Sequence, residues 1–106
     1  MSNAIKYIRI PVSLSRNPVV SIRCRLLYGE IDLVCRENQN VCVVSDSEFA
    51  DRLSISAKSV KEYILELKSL ELVFSLRSSY QSKIIRELYV ERSLYNLAKE
   101  KKGFCI

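Results

Sequence analysis

The chain has 106 residues, 48% of them apolar and 27% charged, which suits one domain with its own core and excludes both a disordered segment and a fold that needs disulfide staples. Seventeen Lys and Arg against twelve Asp and Glu give a formal charge of +5, which favours a polyanionic partner, although a merely basic protein has the same balance. There is no His and no C-x-x-C pair, so the usual zinc patterns are absent, and no run approaches the ~20 apolar residues of a membrane span.

Met1 to Lys6 is polar, and the apolar stretch that follows is broken by Arg9 and Pro11, unlike a secretory leader. Cys24, Cys35, Cys42 and Cys105 are therefore expected to be reduced thiols of a cytoplasmic protein, the first three mostly as small core residues. With two Gly and two Pro in all, a many-turned all-β fold is disfavoured.

In chain order, Ile5 to Ile10 alternates and predicts a short strand stopped by Pro11. Asn17-Pro18 predicts a helix start, with Asn17 as N-cap and Pro18 in the first turn. That helix carries Val19, Ile22, Leu26, Leu27, Tyr28, Ile31, Val34 and Cys35 at helical spacing and is expected to end near Arg36. Residues 37–40 are a polar turn, and Val41 to Val44 reads as a brief strand. Ser45-Asp46-Ser47-Glu48 is a capping box: Ser45 accepts from the Glu48 amide, and the Glu48 side chain is expected to return to the Ser45 amide.

A helix over 46–53, a turn at Ser54-Ile55, and a helix over 57–69 capped by Ser56 come next. Leu72 to Leu76 and Ile84 to Val90 are strand candidates, joined through the polar, basic stretch 77–83 as a hairpin with a flexible tip. Arg92 to Lys102 predicts a last short helix. The fold class expected is α+β, with a three-helix core and a β-hairpin over 5–91, and a helical extension over 92–106.

Residues 46–70 have the spacing of a helix-turn-helix. Phe49 and Leu53 fill the space between its helices. Ala50 is small where the second helix crosses close, Ile55 plugs the turn, and Val60 and Ile64 close the core. Ser54 and Glu71 stand where Gly commonly adopts a left-handed conformation.

The stretch Phe49 to Val60, with Leu67, Leu70 and Leu72-Val73, resembles winged helix-turn-helix domains of bacterial, plasmid and phage origin. Together with Tyr7 to Leu14 and Arg25-Leu26-Leu27-Tyr28-Gly29, it is similar to the N-terminal domain of plasmid and phage replication initiators of the replication initiator A type. The resemblance spans residues 7 to 90. It implies double-stranded DNA as partner, with the second helix of the motif entering the major groove by its N-terminal end. On this sequence that end presents Ser56, Ala57, Lys58, Ser59, Lys61 and Glu62. Lys58, Lys61, Ser56 and Ser59 suit phosphates or base edges, and Glu62 suits a cytosine amine. The wing offers Arg77, Tyr80, Gln81, Lys83 and Arg86 to phosphates or the minor groove. Arg23 and Arg25 read as solvated.

Nothing points to catalysis. No carboxylate pair has a base, nucleophile or metal partner, no Gly-rich phosphate loop occurs, and a nucleophilic Cys would lack its His. No cofactor or small-molecule substrate is expected. Beside the initiator reading stand a transcriptional regulator of the same fold and a winged helix used for protein contact, the latter kept open by Glu62, Glu66 and Glu71. Leu94, Tyr95, Leu97, Phe104 and Ile106 make the last segment more apolar than a free tail, so it is expected to pack on the first helix or on a second copy. A homodimer is one outcome, and pairing through the strand Ile5 to Ile10 is another.

Overall fold

A computed structural model describes residues 6–101. The described chain runs α1 (Val12–Ser15), α2 (Ile22–Glu37), α3 (Asp46–Leu53), α4 (Ala57–Ser69), β1 (Phe74–Tyr80), β2 (Lys83–Tyr89) and α5 (Arg92–Lys101). Helices α2, α3 and α4 surround Leu27, Ile31, Phe49, Val60, Ile64 and Leu67, all buried. The antiparallel hairpin closes this core from one side with Val73 and Leu88. The architecture is the expected α+β one, and the helix-turn-helix pair has the bounds its spacing predicts.

Both departures from Gly resolve in the same way. Ser54 takes the left-handed conformation, at φ 56° and ψ 47°, and ends α3. Glu71 does so after α4, at φ 59°. Neither is β-branched, so the steric cost is tolerable, and neighbours hold the geometry. The Ile55 amide donates to the Ala50 carbonyl at 3.0 Å, and Arg23 Nη1 donates to the Ser54 carbonyl at 3.0 Å.

Several local expectations are corrected. Residues 6–10 pair with no strand, and Ile5 lies outside the described residues. The side chains of Lys6, Ile8 and Arg9 meet α2 instead. Ile8 covers Gly29, where an added Cβ would come within 2.6 Å of Ile8 Cδ1 and 2.8 Å of Ile8 Cβ. Arg9 gives Nε and Nη2 to the two Asp32 oxygens at 2.9 Å each, and Arg36 Nε adds a third bond at 3.0 Å. Arg36 Nη2 also donates to the Tyr7 carbonyl, satisfying backbone that a ladder would otherwise have served.

The first long helix begins at Ile22, not after Asn17. Ser21 is its N-cap and accepts from the Cys24 amide. Asn17 makes a local turn instead, its side chain accepting from the Val19 amide at 3.0 Å. Val19 is 85% exposed and Ile22 68%, so extending the helix backwards would bury little. Val12–Ser15, where the sequence predicts no element, forms the short helix α1. Val41 to Val44 supplies a single bridge, Cys42 to Leu88, and not a strand.

Ser45 accepts from the Glu48 amide at 3.2 Å as expected, but the Glu48 carboxylate accepts from Arg52 at 2.8 Å and does not complete the box. The hairpin tip is shorter than the sequence suggests. The strands run to Tyr80 and Lys83, and Gln81 and Ser82 make the turn alone, with φ 49° and 68°. Positive φ at both central residues is the signature of a type I′ hairpin turn, which non-Gly residues adopt here.

Among the described residues helix α5 packs chiefly on the hairpin, and its Leu94 borders a hollow with Tyr28, Asp32, Cys35 and Arg36 of α2. Tyr95 stacks on Phe74 at 5.5 Å between ring centroids and meets Tyr89 edge-on at 6.2 Å. Cys24, Cys35 and Cys42 are buried free thiols, and burial pushes Cys24 and Cys35 up to about 12. Cys105, Phe104 and Ile106 lie outside the described residues.

Two outcomes test the seating of residues 6–10. Burial of Asp32 opposes its ionisation, but the hydrogen bonds and charges of Arg9 and Arg36 outweigh this and hold its carboxyl below the ordinary 3.8. The stability it supplies is therefore complete above about pH 4 and lost as pH falls through the lowered value. Asp32→Asn should cost about 2 kcal/mol at neutral pH in urea unfolding, with the gap from wild type closing in acid. Gly29→Ala should destabilise by about 1 kcal/mol, because overpacking against Ile8 costs more than the helix propensity gained. A gain of stability in the Gly29→Ala variant would show that residues 6–10 are not seated on α2.

Candidate nucleic-acid interface

On α4, Lys58, Lys61, Leu65 and Lys68 are spaced by three, four and three residues, so they share one stripe about 80° wide. All four are exposed. Among the described residues no carboxylate lies within ion-pair distance of the three ammonium groups. The N-terminus of the helix is capped by Ser56, whose Oγ accepts from the Ser59 amide and donates to Ser59 Oγ, both at 3.0 Å. Ala57 and Glu62 are exposed, with Glu62 on the flank of the stripe.

The acids that clouded this helix in the sequence are turned away. Glu66 lies toward α2, where its charge and hydrogen bond help keep the Cys24 thiol protonated after burial has done most of that work. Glu71 is paired with Arg92. Only Glu62 remains beside the lysines.

The hairpin presents two faces. Ser75 and Leu88, Arg77 and Arg86, and Ser79 and Ile84 are opposite pairs on one of them. Leu88 is fully buried in the core, so this face looks toward α3 and α4. Lys83, opposite Tyr80 in the register, belongs to the alternate face, and Gln81 lies in the turn. Both Lys83 and Gln81 are exposed. The expected wing residues are thus divided between two faces.

Arg86 is not available as expected. Its Nη1 donates to Asp46 Oδ1 at 2.5 Å and its Nη2 to the Val44 carbonyl at 2.9 Å, with both ionic side chains mostly buried. It fastens β2 to the start of α3. Arg77, directly opposite, stays exposed and borders a notch of about 240 Å³ between α4 and the hairpin. Lys61, Leu65, Lys68 and Ser75 form the rest of its rim, with the Asp46–Arg86 pair alongside. Lys68 is not among the residues expected from the sequence because it lies beyond the N-terminal turns of α4, although its spacing of seven from Lys61 carried the signal. Arg23 is exposed, as the sequence suggests, and also donates to the Ser54 carbonyl, while Arg25 is half-buried and donates to the Asn17 carbonyl.

Among the described residues no cluster of acidic or thiol side chains is placed to hold a metal ion, and no helix is long and apolar enough to cross a membrane.

No protein-family model matches the chain, and no curated protein does. Two solved structures are similar. One, described as "N-Terminal domain of DNA binding protein", superposes with a TM-score of 0.60 at 16% identity, over 91% of this chain and 86% of that one. The other, "Structure of Rep-DNA complex", gives 0.57 at 14% identity, over 91% and 87%. The fold is a winged helix-turn-helix. Helices α3 and α4 are its motif, and the hairpin is its wing.

The Arg86 clip has a measurable consequence. Asp46→Ala leaves that guanidinium with one acceptor and should cost about 1–3 kcal/mol of stability. Amide exchange should quicken in β1 and β2, while α2 keeps its protection. Uniform quickening across the domain would show that Asp46 supports the whole fold and not the wing.

Proposed function

We propose that this domain binds double-stranded DNA and serves as the DNA-reading module of a replication initiator. The observation that carries the reading is the lysine stripe of α4 facing Arg77 across an open notch, with Glu66 and Glu71 turned elsewhere. A surface of clustered, unpaired cations suits phosphates, whose neutralisation releases counterions and supplies much of duplex affinity. The similarity to a Rep-DNA complex, like the resemblance of residues 7 to 90 to replication initiators, favours the initiator over a transcriptional regulator.

In this reading the N-terminal turns of α4 enter the major groove. Ser56, Ala57, Lys58, Ser59, Lys61 and Glu62 meet base edges and the nearest phosphates. Arg77, Gln81, Lys83 and Tyr80 accompany the backbone from the wing. Arg86 is left out because its two terminal nitrogens are engaged by Asp46 and the Val44 carbonyl, and its Nε is buried. The reading needs no catalytic group. It requires no dimer either.

Lys58→Ala with Lys61→Ala should weaken duplex binding and lower the slope of log affinity against log salt by about one unit for each phosphate no longer neutralised. Arg77→Ala with Lys83→Ala should weaken all sequences alike. Unchanged affinity in the α4 double variant would remove this helix as the reader. Selection of bound fragments from the replicon that encodes the chain should return repeated sites grouped in one region. A single site overlapping a promoter would favour the regulator.

A further inference from the structure

The tip-side half of the cleft between α4 and the wing has a composition that phosphate binding alone does not explain. Ile84 is 71% exposed and Val43 48% exposed, and both line the same concavity. Lys61 and Arg77 border it. Ile84 belongs to the wing face that looks toward α4, opposite Ser79. Val43 is held beneath it because its neighbour Cys42 exchanges backbone hydrogen bonds with Leu88 at 2.9 and 2.8 Å. Arg86 fixes the adjoining Val44 carbonyl. The two apolar side chains are therefore presented by backbone anchored on both sides.

A DNA strand alternates an anionic phosphate with the apolar edge of a deoxyribose. A surface that sets apolar side chains beside cations is complementary to that alternation, in charge and in polarity. We propose that Ile84 and Val43 form an apolar seat for deoxyribose of one DNA strand, with Lys61 and Arg77, on the rim that this hollow shares with the notch beside Lys68 and Ser75, holding the adjoining phosphates. The inference rests on the duplex-binding reading above and adds to it a contribution that is independent of salt and of base sequence. It also gives the seat a preference for DNA, because a ribose 2′-hydroxyl would be placed against hydrocarbon with no partner.

The test is a titration of the full chain with a fluorescent duplex at several salt concentrations, for wild type, Ile84→Ala, Val43→Ala and Arg77→Ala. Removing the apolar side chain at Ile84 should weaken binding by about three- to tenfold at every salt concentration, leaving the salt slope unchanged. Val43→Ala should act in the same direction, and Arg77→Ala should lower the slope. Exchanging single deoxynucleotides for ribonucleotides along one strand should weaken wild-type binding at one or two positions, and Ile84→Ala should be blind to that exchange. Ile84 is exposed, so its variants should unfold as wild type does, and circular dichroism checks this. Equal affinity for Ile84→Ala and wild type, with the Arg77→Ala effect intact, would overturn the apolar seat alone. Absence of duplex binding by wild type would overturn the DNA reading and the seat with it.

Discussion

Leu88 lies at zero exposure in the core and exchanges both backbone hydrogen bonds with Cys42. Two residues earlier on the same strand, Arg86 bonds Asp46 and the Val44 carbonyl. These contacts fix where the wing stands relative to α3 and α4, and the candidate interface depends on that placement. Without them the hairpin is a two-stranded ribbon, which is marginal by itself in water. With them, Arg77 faces the lysines of α4 across a gap of settled width. The Arg86–Asp46 pair is worth little as a generic salt bridge. Its value is positional, because a mostly buried guanidinium with two acceptors defines one orientation of β2.

From the other side, α4 is positioned by Phe49, Val60, Ile64 and Leu67, and by the left-handed turn at Ser54. Burying one face of the helix leaves the opposite face to solvent, and that face carries Lys58, Lys61, Leu65 and Lys68. The division of charge is a consequence of helical periodicity. Glu66 falls toward α2, while Glu71 leaves the helix at its end and meets Arg92. A net charge of +5 is modest, but its distribution concentrates cations where the wing opens.

Much of this was legible in the sequence, and what was not has identifiable causes. The bounds of α3 and α4 follow from Ser45 and Ser56 as caps and from Phe49, Val60 and Leu67 as periodic core residues, all local signals. The start of α2 lies four residues beyond Asn17-Pro18 because Ser21, also a capping residue type, takes the N-cap and accepts from the Cys24 amide. The strand expected before Pro11 fails because alternation does not distinguish pairing from an extended segment lying on a helix. Arg86 looked like a wing cation because its partner, Asp46, is 40 residues away. The spacing of seven from Lys61 marked Lys68 in the sequence, whereas Ile84 joins the candidate surface only through the pairing register, which puts it opposite Ser79.

The central claim is that one surface, made of α4 and the inward face of the wing, meets duplex DNA. It is tested most directly by backbone amide shifts of the labelled chain during titration with a duplex it binds. Perturbations should gather at Val43, residues 56 to 62, Leu65, Lys68, Arg77, Ser79 and residues 81 to 84, and leave α5 and residues 12 to 26 in place. Perturbations centred on α5 or on residues 12 to 26, with α4 and the wing unmoved, would contradict the account.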